Sequence, residues 1–289
     1  MAYTAPITTM CPTAFLVMVD QSGSMAEPVI WNGRYLKKSE AVALVINSIL
    51  AEIIARTKGD DTYRHYFDIA VIGYGGGGVE SLLPADESWF MTPAQLAGSV
   101  RRKEELQKER VLPDGRKILT KTVQKIWVES HAEGTTPMLA AFAKAYELVR
   151  LWCADMAKTG ICFPPTIINI SDGEATDGDL GAVSAAAAKL KGLSTGDGNS
   201  LLINVHVGGD GNRSIVFPVS ENDLPEDRYA RLLYNISSEM PEGYAVQIRE
   251  LLETEPEAAG NFRGMAYNAT IADLITLMNI GSTSVNLMR

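Results

Sequence analysis

The sequence predicts an α/β protein: a doubly wound, mainly parallel sheet flanked by helices, with one antiparallel edge strand and an inserted β-hairpin. Three observations predict it. Short runs rich in β-branched residues alternate with stretches of helical period, the order expected of strands joined by crossover helices. Two of those runs, "TAFLVM" and "TIINI", are apolar almost throughout, as strands buried on both faces are. Both then run straight into clusters of Asp, Ser and Gly, "VDQSGSM" and "ISDGEATD". With 289 residues and 46% hydrophobic content the chain can bury a large core, and 21% charged residues describe an ordinary globule. It shows no internal repeat and no linker long enough to force a second domain, so 1–289 reads as one domain.

The first strand is expected at about 14–20. "KSEAVALVINSILAEIIART" (38–57) repeats apolar residues at helical spacing and opens on Ser39, a candidate cap. "FDIAVIGYG" (67–75) reads as the second strand, and "VESLLP" (79–84) as an edge strand beside it, the glycines between them making the turn. A helix over 92–100 has Thr92 as cap and Pro93 at its first position. The charged stretch at about 105–128 carries "PDG" and is expected to project as a hairpin. A strong helix follows over 136–158, then a buried strand from 165 ending in an acidic loop. The alanine-rich "GAVSAAAAKLKG" reads as a helix capped by Asp177 and Asp179, and "SLLINVHVGG" as a strand. An irregular and helical insertion spans about 211–255, and the last helix lies at about 270–279.

Charge and cysteine usage exclude several classes. A net charge of −9 argues against a phosphate-backbone binder, because the basic residues of 101–125 are interrupted by acids. Three cysteines without CxxC spacing argue against structural zinc and a disulfide framework. The first residues lack a basic start and a long apolar run, so neither a signal peptide nor a membrane anchor is expected there, and the cytoplasm is the expected compartment. "GYGGGGVE" has neither GxGxxG nor GxxxxGK[ST] spacing and reads as a turn, not a phosphate cradle. His65, His131 and His206 are far apart and are expected at the surface or in the core. The serines of "QSGSM" lack a GxSxG frame, which argues against a serine hydrolase.

In an open doubly wound sheet, ligands sit beyond the carboxyl ends of the strands. Three polar clusters are expected there: Asp20, Ser22 and Ser24; the "EGTTPM" segment with Thr135 and Thr136; and Ser171 with Asp172. Hydroxyls and carboxylates at one point suit a small hard cation such as Mg2+, which takes six oxygen ligands.

These residues resemble the metal-ion-dependent adhesion site of von Willebrand factor A domains, in which Asp-x-Ser-x-Ser is followed by a distant Thr and a distant Asp. "DGEATD" is also similar to the "DGEPTD" of bacterial intracellular members, including those encoded beside tellurite-resistance genes, with Ala175 in place of the usual proline. The resemblance implies direct binding of Mg2+ by Ser22 and Ser24, with Mn2+ or Ca2+ as substitutes. Thr136 would bind directly or through water, and Asp20 and Asp172 mainly through waters. Thr135 is the competing threonine; Thr136 is preferred because related members place the threonine immediately before the proline. The sixth position would be taken by an Asp or Glu of a partner protein, so the implied role is a docking module and not an enzyme. By resemblance, it would act as a scaffold or regulator in a bacterial stress, signalling or conflict system, beside kinases or PP2C-type phosphatases. Neither nucleic acid nor membrane is an expected partner. The competing reading is a metal-dependent hydrolase or phosphatase using the same ion; it needs a base or nucleophile near the metal, and the sequence offers none beyond the aspartates.

Overall fold

The computed structural model describes residues 3–31, 34–84, 88–111, 117–156, 160–208, 213–253 and 261–281. In chain order, β1 (Thr13–Asp20) is followed by a hairpin of β2 (Pro28–Trp31) and β3 (Arg34–Lys37) and by helix α1 (Lys38–Thr57). Strands β4 (Phe67–Gly75) and β5 (Gly78–Ser81), helix α2 (Pro93–Gly98), strands β6 (Arg102–Val111) and β7 (Lys117–Ile126), and helix α3 (Met138–Met156) come next. Strand β8 (Thr166–Ser171), helix α4 (Leu180–Lys191), strands β9 (Leu201–Val207) and β10 (Ile215–Val216), and helices α5 (Arg228–Ile236) and α6 (Glu242–Leu252) follow. The described chain closes with β11 (Met265–Ala269) and α7 (Ile271–Gly281).

Seven strands form one sheet in the order β10-β11-β9-β8-β1-β4-β5. Its five inner strands are parallel, and β5 is an antiparallel edge strand beside β4. A second antiparallel strand, the two-residue β10, closes the opposite edge, where the sequence reading placed only irregular chain. All eight residues of β1 are buried. Its alternate side chains divide the core: Phe15, Val17 and Val19 join α1 and α7, whereas Ala14, Leu16 and Met18 join α3, α4 and α5. Burying both faces is why the strand reads as an unbroken apolar run. Among the described residues no helix is long and apolar enough to cross a membrane.

Strands β6 and β7 pair antiparallel over ten residues, from Arg102↔Ile126 to Val111↔Lys117, as a separate two-stranded sheet. The "PDG" expected at its turn lies outside the described residues. The helix over 38–57 has the expected bounds, but Ser39 does not cap it. Lys37 stands at the cap, its N–H donating to Glu40 Oε2 at 3.0 Å, and Ser39 is buried within the first turn. Thr92 does cap α2, accepting from Gln95 N–H.

Asp68 on β4 joins two elements, accepting from Trp152 Nε1 of α3 at 2.8 Å and pairing with His65 Nε2 at 2.6 Å. The hydrogen bond to Asp68 raises the His65 pKa above its ordinary value. The pair's stabilisation is therefore present below the unfolded pKa and is lost as pH rises through the raised folded value. His65 is partly exposed, so solvent screening holds the contribution to roughly 0.5 kcal/mol. The melting-temperature difference between the wild type and His65→Gln is expected to be larger at pH 5.5 than at pH 8. An equal difference at both would remove the ionic contribution.

Candidate metal centre

The sheet order changes direction at β1: β4 lies on one side of it and β8 on the other. The crevice beyond the ends of β1 and β8 is thus the switch point at which such sheets bind ligands. Asp20 ends β1 fully buried. Its Oδ1 accepts from the Ser22 N–H at 2.8 Å, an Asx turn that bends the chain off the strand. Its Oδ2 accepts from Ser171 Oγ at 2.8 Å, which clamps the end of β8 to the end of β1. The bend aims two hydroxyls at one place. Ser22 Oγ and Ser24 Oγ are 3.1 Å apart, and Ser24 Oγ donates to Asp172 Oδ1 at 2.6 Å. Burial raises the Asp20 pKa above the usual carboxylate range, opposed by the Ser22 and Ser171 hydrogen bonds. A cation alongside would lower it again.

A third loop is laid over these two by its backbone. Glu133 N–H donates to Gln21 O at 2.7 Å, Gly23 N–H to Gly134 O at 3.0 Å, and Gly76 N–H to Glu133 O at 2.9 Å. The β4–β5 turn is therefore a support for the site loop as well as a hairpin. Thr136 is joined to the acidic loop: its N–H donates to Thr176 Oγ1 at 3.0 Å, and its carbonyl accepts from Thr176 N–H at 2.9 Å. Thr136 is buried at this junction and Thr135 is exposed. Gly134 has φ +74°, and a Cβ there would stand 2.5 Å from the Gly76 Cα. Gly134→Ala is accordingly expected to cost about 2 kcal/mol or more, because backbone meets backbone and φ is strained as well. Urea denaturation measures this, and a loss below half that size would show that the loop yields.

One cation is already present. Lys38, the first residue of α1, donates from Nζ to Asp172 Oδ2 at 2.9 Å and to Glu27 Oε2 at 2.7 Å. The Asp172 side chain is closed to solvent and that of Lys38 nearly so, while Glu27 is largely exposed. Behind the site, His206 on β9 stacks on Tyr267 with ring centroids 4.6 Å apart. Its Nδ1 accepts from the Asn268 N–H at 3.2 Å, the Asp172 backbone is a further hydrogen-bond partner, and burial lowers its pKa. Tyr229 of α5, buried, donates to Ser171 Oγ at 3.3 Å, and burial raises its pKa.

The structure thus brings Asp20, Ser22, Ser24 and Asp172 into one hydrogen-bonded cluster, with Glu133 and Gly134 bonded to the backbone of the serine turn and Thr136 bonded to Thr176 of the acidic loop. The donor set fits a hard ion. It consists of hydroxyls and carboxylates, the oxygen donors that Mg2+ takes. Asp179 caps α4 as expected, through Ala182 N–H. Asp177 does not: its two oxygens accept from Leu139 and Ala140 N–H at 2.9 and 2.8 Å, so it caps the earlier helix α3. The reason is tertiary, since the acidic loop crosses the N-terminus of α3, where free N–H groups and the helix dipole favour a carboxylate. Those bonds and the Arg228–Glu174 ion pair (2.6 Å) tie down the loop that carries Ala175. Lys38, Glu27 and Thr176 had no place in the sequence reading. The one available signal was a lysine opening a helix, at the end where a positive charge is disfavoured.

No protein-family model and no curated protein matches the chain. Among solved structures, a von Willebrand factor type A protein from Catenulispora acidiphila is similar at 14% identity and a TM-score of 0.40, over 68% of this chain and 34% of that one. An uncharacterised membrane-spanning protein from Vibrio fischeri is similar at 16% identity and a TM-score of 0.28, over 83% of this chain and 98% of that one. This chain spans about a third of the length of the Catenulispora protein.

Proposed function

We propose that the protein is a von Willebrand factor A-type docking module that holds Mg2+, or Mn2+ in its place, and presents it to an acidic residue of a partner protein. One observation carries the reading: Asp20, Ser22, Ser24 and Asp172 meet in a single hydrogen-bonded cluster at the sheet's switch point. Ser22, Ser24 and Thr136 would hold the ion, with Asp20 and Asp172 balancing its charge. A site that spends few direct carboxylates leaves the ion electrophilic, so an incoming carboxylate gains much. Ile30 and Tyr35, paired across β2 and β3 and both exposed, stand on the hairpin that leaves the site and offer apolar contact area to the same partner. A non-enzymatic role is supported by His206, the histidine behind the site, whose ring is packed on Tyr267 and hydrogen-bonded to backbone, which leaves it badly placed as a general base.

The test uses the ion and the simplest carboxylate. Mn2+ is expected to bind the wild type stoichiometrically by electron paramagnetic resonance, and acetate to displace a metal-bound water. Ser22→Ala combined with Ser24→Ala should abolish the binding, and Thr136→Ala should weaken it at least tenfold. Mn2+ binding that survives the double serine variant would overturn the assignment of the site.

A further inference from the structure

Lys38 sits awkwardly unless it has a task. It is the first residue of α1, where the helix dipole disfavours a cation. Its side chain is only 7% exposed, and a nearly enclosed ammonium is costly unless paired. Its two partners differ: Asp172 is a deep carboxylate of the site, and Glu27, just past the serine turn, is largely exposed. Both oxygens of Asp172 are engaged by this arrangement, one accepting from Ser24 and the other from Lys38.

We propose that Lys38 is an intramolecular cation that competes with the metal ion for Asp172, with Glu27 as the carboxylate that receives it when the ion enters. This rests on the docking-module reading of the site. Without metal, the ammonium neutralises Asp172 and keeps Ser24 and Asp172 assembled. A divalent ion placed against the same carboxylate meets a like charge nearby, so binding is coupled to release of Lys38 from Asp172. Release is cheap because Lys38 already touches Glu27 at 2.7 Å, and a turn of its flexible chain leaves it paired. The serine turn, the first turn of α1 and the acidic loop would then move together on loading. Metal affinity is set low by design of the charge balance, and the loaded state differs from the empty one in the position of a buried cation.

Mn2+ titration followed by electron paramagnetic resonance tests this on the full chain. Lys38→Met is expected to bind Mn2+ at least tenfold more tightly than wild type, and Glu27→Gln several-fold more weakly. In the Lys38→Met background, Glu27→Gln should have less than half its effect, because its work is to receive Lys38. Equal or weaker binding by a folded Lys38→Met would overturn the proposal. Should that variant not fold, a wild-type crystal structure with Mn2+ decides: Lys38 Nζ is expected beyond hydrogen-bond distance of Asp172, and an intact pair overturns the idea. Wild-type protein that binds no Mn2+ at all would instead sink the metal-site reading itself.

Discussion

Asp172→Ala is expected to destabilise the protein by about 3 kcal/mol, and chiefly through Lys38 rather than through the metal. Removing one member of a buried ion pair leaves the other charge enclosed, which costs about 3–5 kcal/mol in the general case. Here the exposed Glu27 recovers part of that, so the lower end applies. Ser24 Oγ also loses its 2.6 Å acceptor. Urea denaturation in excess EDTA isolates the effect from metal binding. The double variant Asp172→Ala, Lys38→Met should recover at least 1 kcal/mol relative to Asp172→Ala alone, the size of coupling expected for residues in direct contact. A double variant no better than the single would show that Lys38 finds solvent easily, and the competition for Asp172 would lose its energetic basis. Asp20→Ala also costs stability, although a strand end suggests a solvent-facing, tolerant position. The carboxylate is fully buried, and its loss orphans the Ser22 N–H and removes the Ser171 clamp between the ends of β1 and β8.

What could be read from the chain alone follows from how local each signal is. The strand at 67–75 and the helix at 38–57 carry their own apolar period, and the structure keeps those bounds. The β2–β3 hairpin was missed although Asn32-Gly33 stands between Trp31 and Arg34, a strong two-residue turn signal, because "PVIW" and "RYLK" are too short to register as strands. Strand β11 was missed for a different reason. "MAYNA" has no β-rich run, and it is held as a strand by parallel pairing with β9, with Asn268 at a positive φ of 52°. In the site, the Asp20 turn is a five-residue pattern and was legible at once. Lys38 was not, because its meaning lies in a contact with a residue 134 positions away. Asp177 likewise reads as a cap of the helix after it, and only the tertiary path of its loop sends it to the helix before.

The same dependence on distant partners governs Asn47, a polar residue inside the apolar face of α1. It is 2% exposed, and both polar atoms of its amide bond to one segment. Its Nδ2 donates to Val128 O at 2.8 Å, and its Oδ1 accepts from the Trp127 and Val128 N–H groups at 2.8 and 3.0 Å. That segment leaves β7, turns across α1, and leads eight residues later to Thr136. Trp127 is buried there with its Nε1 donating to Leu96 O at 2.7 Å. Asn47→Ala would leave two N–H groups and one carbonyl in the core without partners. At about 1–3 kcal/mol for each unsatisfied group, partly relieved by relaxation, a loss of about 3 kcal/mol is expected. Asn47→Asp should be no better, since it can accept both N–H bonds but cannot donate to Val128 and buries a charge. Tryptophan fluorescence during urea denaturation reads the stability. Mn2+ affinity of the folded variant should change less than tenfold, because the site loop has its own backbone anchors at Glu133 and Gly134. A large loss of affinity with little loss of stability would reverse that order, making Asn47 part of how the site is positioned and not of how the core is closed.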